Sequence, residues 1–169
     1  MSLDSQSFLL QIAATLNSVL DLKTASAPLA YKNSMTLTTG TGADQADQIW
    51  DDERTLTTGA NEDLDLTGTA LQNAFGTNIA FARIKLLAIV SDPANTTNLT
   101  VGNAASNGWV GPFGAATHTI TLKPKGVLFL FDPSSGAYAV TAGTGDLLRV
   151  TNAAGASAKY RIILIGSTV

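Results

Sequence analysis

The residues able to run acid–base, nucleophilic or metal chemistry are few in this chain and scattered. Among 169 residues there is no Cys and one His. A thiolate nucleophile and a Cys-ligated zinc or iron–sulfur centre are therefore excluded, and a Ser-His-Asp triad would have to use His118. His118 stands in Thr117-His118-Thr119-Ile120, and no Ser in a Gly-flanked elbow accompanies it. We read it as a partly buried or rim residue of a strand. Asp51, Asp52, Glu53, Glu62, Asp63 and Asp65 have the chemistry for a glycosidase-type carboxylate pair or a calcium site. A sugar-cleaving cleft needs aromatic walls, yet the chain has only six Phe, three Tyr and two Trp. An Asp-x-Asp-x-Asp-Gly loop is missing as well. Gly40-Thr41-Gly42 and Gly143-Thr144-Gly145 open no helix and precede no Gly-Lys-Ser/Thr, so they read as hairpin turns and not phosphate cradles. No catalytic, cofactor or metal residue is assigned, and the chain is expected not to be an enzyme.

Binding chemistry has better candidates. Trp109 lies in Asn107-Gly108-Trp109-Val110-Gly111-Pro112-Phe113, an aromatic phrase between two turns. One reading has Trp109 and Phe113 plugging the end of a β-domain. The other makes them exposed anchors for a protein neighbour or, together with Tyr138, for a glycan. The net charge of −3 and pI near 4.9 disfavour nucleic acid as a partner. Charge is also uneven: residues 1–66 hold ten acids and three bases, residues 67–169 three acids and seven bases. Such halves read as solvated faces, or as complementary edges of neighbouring copies.

The elements that must position these residues fall into two classes. In residues 4–22, Leu9, Ile12, Leu16 and Val19 recur at steps of three, four and three, which predicts one N-terminal amphipathic α-helix. A helix of that length is marginal alone and needs a partner, so these four residues are candidate assembly contacts. The expected organisation is a helical arm over 1–22, a linker over 23–34 (KTASAPLAYKNS) and a β-domain over 35–169.

After Ser34 the pattern is strand and turn. Strands are expected at 35–38, 48–57, 62–67, 78–91, 99–101, 117–122, 127–131, 137–141, 147–151 and 159–165, with a helical turn at 71–75 and a bulge near Arg83–Lys85. Breaks such as Lys123-Pro124-Lys125-Gly126 and Asp132-Pro133-Ser134-Ser135-Gly136 separate them. Turns every 8–12 residues with no alternating helices predict an all-β, antiparallel β-sandwich with jelly-roll-like connections. No apolar run approaches the ~18 residues of a membrane helix, and no basic n-region opens a signal peptide. We therefore expect no membrane partner and use without Sec export.

The phrases Ala46-Asp47-Gln48-Ile49-Trp50-Asp51-Asp52-Glu53-Arg54-Thr55-Leu56, Glu62-Asp63-Leu64-Asp65-Leu66, Val101-Gly102-Asn103-Ala104-Ala105-Ser106-Asn107, Val140-Thr141-Ala142-Gly143-Thr144-Gly145-Asp146-Leu147-Leu148-Arg149-Val150-Thr151-Asn152 and the Ile162-Ile163-Leu164-Ile165-Gly166 ending resemble small virion proteins of tailed bacteriophages. The similarity spans roughly residues 46–166 and is to head decoration or cement proteins. It implies a β-rich, homo-oligomeric (often trimeric) protein made in the bacterial cytoplasm, which binds the major capsid protein of the assembled shell and stabilises it. It brings no active-site motif and no residue roles. The alternative is a receptor- or glycan-binding module of a tail or fibre device.

Overall fold

A computed structural model describes residues 3–68 and 70–169, and every regular element among them is a strand. In chain order these are β1 (Gln6–Val19), β2 (Thr24–Thr39), β3 (Gln45–Ala46), β4 (Gln48–Leu56), β5 (Asn61–Asp65), β6 (Arg83–Ser91), β7 (Leu99–Gly102), β8 (Thr119–Leu122), β9 (Val127–Phe131), β10 (Tyr138–Ala139), β11 (Leu147–Asn152) and β12 (Ala158–Ser167). The all-β expectation holds, with several antiparallel sheets. The N-terminal helix does not exist.

Two sheets form the body. One runs β10-β6-β12-β4 with β9 also on β6; the other runs β5-β11-β7-β8. Their facing sides share one core. Trp50, Leu87, Ile89, Tyr160, Ile162 and Leu164 come from the first sheet, and Leu64, Leu99, Val101, Leu122, Leu148 and Val150 from the second. Along each strand the inward residues alternate with outward ones, as period-2 geometry requires. Strands β6 and β12 depart from that rule: the outward residues Leu86, Ala88 and Ile165 are buried too, so something covers their outer face.

The covering element is the root of a hairpin. Strands β1 and β2 pair over fourteen residue pairs, from Gln6↔Leu37 to Val19↔Thr24, closed by a turn in which the Leu20 N–H donates to the Lys23 carbonyl at 2.9 Å. Phe8 and Leu37 pack with Leu86, Ala88, Ile165 and Phe131 in a second, smaller core, with the Phe8 and Phe131 rings 5.5 Å apart. From Leu9 to Ser34 every residue is exposed, so the hairpin leaves the body as an arm. At ~3.4 Å per residue its free length is about 35 Å.

Two expectations are corrected here. Residues 4–22 satisfy a helical period, but Phe8, Leu10, Ile12, Ala14 and Leu16 also fall on every second position. What decides is the partner: 23–34 is not a linker, because Ala25, Ala27, Leu29, Tyr31, Met35 and Leu37 alternate in the same way and pair with β1. Pro28 is tolerated within β2 because a two-stranded ribbon leaves one edge of each strand without a ladder partner. The turn at 71–75 is not helical either. Asn73 organises it, its side-chain oxygen accepting from the backbone N–H groups of Phe75 and Thr77 at 3.0 Å each.

The bulge expected near Arg83–Lys85 is present. Ile165 pairs with Leu86 and Gly166 with Ile84, so Lys85 is the extra residue. Its ammonium is fully buried and donates to the Gly42 carbonyl. Desolvation pulls its pKa below the ordinary lysine value, against the opposing pull of Asp44 and Asp132. Opposite the bulge the chains come so close that a Cβ on Gly166 would lie 2.0 Å from the Arg83 carbonyl oxygen. Gly166→Ala is therefore expected to lower stability by about 3 kcal/mol, the upper end for overpacking. Gly143→Ala meets only open space at φ +72° and should cost about 1 kcal/mol. Urea denaturation of the two variants checks the difference.

Candidate functional site

The aromatic phrase turns inward. Trp109 and Phe113 are buried with rings 6.3 Å apart and edge-on, and Trp109 meets Tyr138 edge-on at 6.2 Å. The indole Nε1–H donates to the Ala139 carbonyl at 2.8 Å, which fixes the ring and satisfies its one polar group. This cluster plugs the end of the body, the first of the two readings of the phrase, so Trp109 and Phe113 are core residues and do not serve as exposed partner anchors. His118 sits on the exposed rim beside it. Its Nδ1 is 2.7 Å from the Phe113 carbonyl, and because a carbonyl only accepts, the proton is on Nδ1.

The acidic segment is neutralised within the chain. Arg54 donates to Glu62 through Nε (3.0 Å) and Nη2 (2.6 Å), and to Asp52 through Nη1 (3.0 Å). Arg149 holds Asp63 with two bonds of 2.7 Å. Arg161 reaches Asp51 at 2.7 Å and Lys159 reaches Glu53 at 3.0 Å. The Arg149, Arg161 and Lys159 pairs lie directly or diagonally across neighbouring strands, where side chains on one face meet, whereas Arg54 bridges from one sheet to the other through Glu62 and along its own strand to Asp52. Acids of the first 66 residues thus meet bases of the remainder within one copy through Asp63–Arg149, Asp51–Arg161 and Glu53–Lys159. Among the described residues no cluster of three or more His, Asp or Glu could hold a metal ion. A groove of about 780 Å³ runs beside β4 under the 72–78 loop, with exposed Phe75 at its rim. Its carboxylates are occupied: Asp47 by the N–H and hydroxyl of Thr168, Asp51 and Asp52 by arginines.

The remaining feature is the arm. Residues opposite each other in an antiparallel pair share a face, so the register divides it cleanly. One face carries Phe8, Leu10, Ile12, Ala14 and Leu16 from β1 with Ala25, Ala27, Leu29, Tyr31, Met35 and Leu37 from β2, interrupted by Asn33 opposite Leu10 and bounded by Gln6 and Ser18. The other carries Ser7, Gln11, Thr15 and Asn17 with Ser26, Lys32, Ser34 and Thr36, interrupted by Leu9 and Val19. Of the four predicted contacts, Ile12 and Leu16 lie on the apolar face, whereas Leu9 and Val19 fall on the polar one. Sequence reasoning missed Leu10, Leu29 and Tyr31. The alternation in 25–37 could have found them. The large side chains are open to solvent, Leu16 at 76 %. One polar group marks the root: the buried Gln6 amide has no hydrogen-bond partner for either its oxygen or its nitrogen.

Comparisons with protein-family models, with curated proteins and with solved structures find no match.

Two measurements check this assignment. Trp109→Ala is expected to destabilise the body by about 3–5 kcal/mol, as for other buried large aromatics, read from the denaturant midpoint. The second uses Tyr160, a fully buried ring whose hydroxyl donates to Glu62 at 2.6 Å. Burial first, then that hydrogen bond, holds its phenol well above the ordinary tyrosine value. A folded pKa above the unfolded value of ~10 gives stability that is complete below pH ~10 and lost above it. From pH ~10.5 to 12 the wild type should lose stability faster than Tyr160→Phe, by up to about 1.4 kcal/mol per pH unit. That range lies above the window in which Lys85, with its lowered pKa, acts with the opposite sign.

Proposed function

We propose that this chain is a non-enzymatic structural protein of a bacteriophage virion. Its role is that of an auxiliary head protein on the capsid surface, which binds the major capsid protein of the assembled shell and stabilises it. The observation that carries the reading is the arm. A ribbon about 35 Å long with an uncovered apolar face has little use in a protein working alone in solution, whereas assembly supplies surfaces to cover it.

Two further points support it. The first is the resemblance over roughly residues 46–166. The second is the pairing order of the body, β4·β12, β5·β11, β6·β9 and β7·β8. A long two-stranded ribbon wound over itself into two sheets gives this order, which favours a jelly-roll sandwich, an architecture found in viral capsid proteins and in lectins. The glycan-binding alternative loses its anchors, because the rings of Trp109 and Phe113 are occupied inside the body.

The test adds the purified full-length protein to assembled heads that lack it. Saturable co-sedimentation, with a number of copies set by the capsid lattice and a raised temperature of head disruption, is the expected result. Failure to bind heads at micromolar concentration overturns the proposal.

A further inference from the structure

The arm and the body each expose half of a contact that the structure already builds once. At the root, Phe8 and Leu37 of the arm's apolar face lie on the outer face of β6, β9 and β12, against Leu86, Phe131 and Ile165. Beyond the root both surfaces continue in register. On the arm the same face goes on through Leu10, Ile12, Tyr31, Leu29 and Leu16, all exposed. On the sheet the same outer face goes on along the ladder Leu86↔Phe131, Ala88↔Phe129, Val90↔Val127. There Val127 is 60 % exposed and Phe129 42 %. The arm cannot cover this strip of its own sheet, because it leaves the body after Phe8.

We infer that the occupant of the arm's apolar face is a second copy of this chain. The distal arm of one copy lies over the Val90, Val127 and Phe129 strip of its neighbour, continuing the contact that Phe8 and Leu37 make at home. Three observations favour this occupant. The contact is an extension of one already present between the same two faces, so complementarity in kind is on display at the root. The five arm side chains expose on the order of 500 Å², the size of the largest apolar patch on a typical monomer, which is often functional. With reciprocal arms in a closed pair, arm and strip counted twice, the total approaches the standard interface size of roughly 1,600 Å². Finally, the arm has no acidic residue between Ser5 and Leu20, and Lys32, its one cation between Leu9 and Ser34 other than Lys23 in the turn, lies on the polar face. Nothing charged on the arm need be desolvated, and on the sheet Arg161, opposite Val90, borders the strip with its charge already paired to Asp51. Exchange between copies also closes the assembly: each copy gives one arm and receives one, leaving no apolar strip to propagate aggregation.

The inference concerns the chain in solution and rests on the same arm as the virion reading, but it names the surface that covers it. It is tested without capsids. The native chain has no Cys, so single cysteines report contacts cleanly. Ile12→Cys and Phe129→Cys chains are mixed, oxidised and run on a non-reducing gel, with Gln11→Cys on the opposite arm face as the control. Light scattering gives the mass of the wild type and of Ile12→Asp. Both Trp residues, Trp50 and Trp109, are buried in the body, so their fluorescence shows that Ile12→Asp leaves the body folded. Expected are an oligomeric wild type, a 12–129 cross-link between chains that the Gln11→Cys control does not form, and association weakened roughly tenfold or more in Ile12→Asp. A wild type that stays monomeric at 100 micromolar overturns the inference. So does cross-linking confined to 12–12 pairs, which would mean arm against arm, and so does a monomeric internal bond in the Ile12→Cys/Phe129→Cys double variant.

Discussion

Strand β6 and the second half of β12 are apolar on both faces, and most of the architecture follows from that. A strand in a two-sheet body normally hides one side and wets the other. Here the inward residues Leu87, Ile89, Ile162 and Leu164 fill the space between the sheets, while Leu86, Ala88 and Ile165 on the reverse need a second cover. Phe8 and Leu37 provide it. The ladder between the two central strands therefore joins the closed core to the open arm, and the bulge at Lys85 tunes the junction. By adding one residue to β6, the bulge lets Gly166 approach the Arg83 carbonyl and buries the Lys85 ammonium against Gly42. A buried cation is costly unless it is bonded, so the 40–44 turn is held where its carbonyl is needed.

The arm obeys the opposite economy. A two-stranded ribbon is marginal alone in water, because each residue's face can be buried only by a third layer. Its root has that layer and its remaining length does not. One side is mainly apolar and the other mainly polar, the distribution expected of a single layer in a larger packing. The partnerless Gln6 amide lies opposite buried Leu37 at the body end of the root, an unsatisfied polar group beside the apolar seat of Phe8 and Leu37.

Much of the body was legible in the sequence. Its strands are short, alternate cleanly and end in Gly, Asn, Pro or Asp turns, so β4, β9, β11 and β12 fall within a few residues of their expected places, and the bulge was visible as an apolar run with cations in its middle. Less legible was whatever depended on partners far along the chain. Residues 4–22 fit helical and extended periods equally well, since Ile12 and Leu16 serve both, and the deciding evidence was the second half of the ribbon in 25–37. The expected strand over 78–91 starts late because Ile79 and Phe81 enter the core from irregular backbone, held by the Ile79–Leu71 and Phe81–Leu66 hydrogen bonds. Burial looks the same in a composition whether or not a ladder accompanies it. Trp109 could have gone either way on sequence alone. Its ring was placed by Phe113 and Tyr138, the latter 29 residues later in the chain.

The division of labour between charge and apolar surface then has a physical logic. The body's ion pairs are mostly solvent-facing and individually weak, but they connect strands distant in sequence, Asp63 with Arg149 and Asp51 with Arg161. Each pair ties two neighbouring strands together on a solvent-facing side. Under the proposed exchange of arms, which buries no charge of the arm, the neighbour is chosen by shape and by the pattern of the apolar ribbon. A ribbon repeating every two residues would be prone to slippage if it were uniform. This one is not uniform: Tyr31 and Leu29 stand opposite Ile12 and Ala14, and Pro28 interrupts the edge beside them. The irregular spacing of large and small side chains gives the arm one best seat on a sheet face of matching relief.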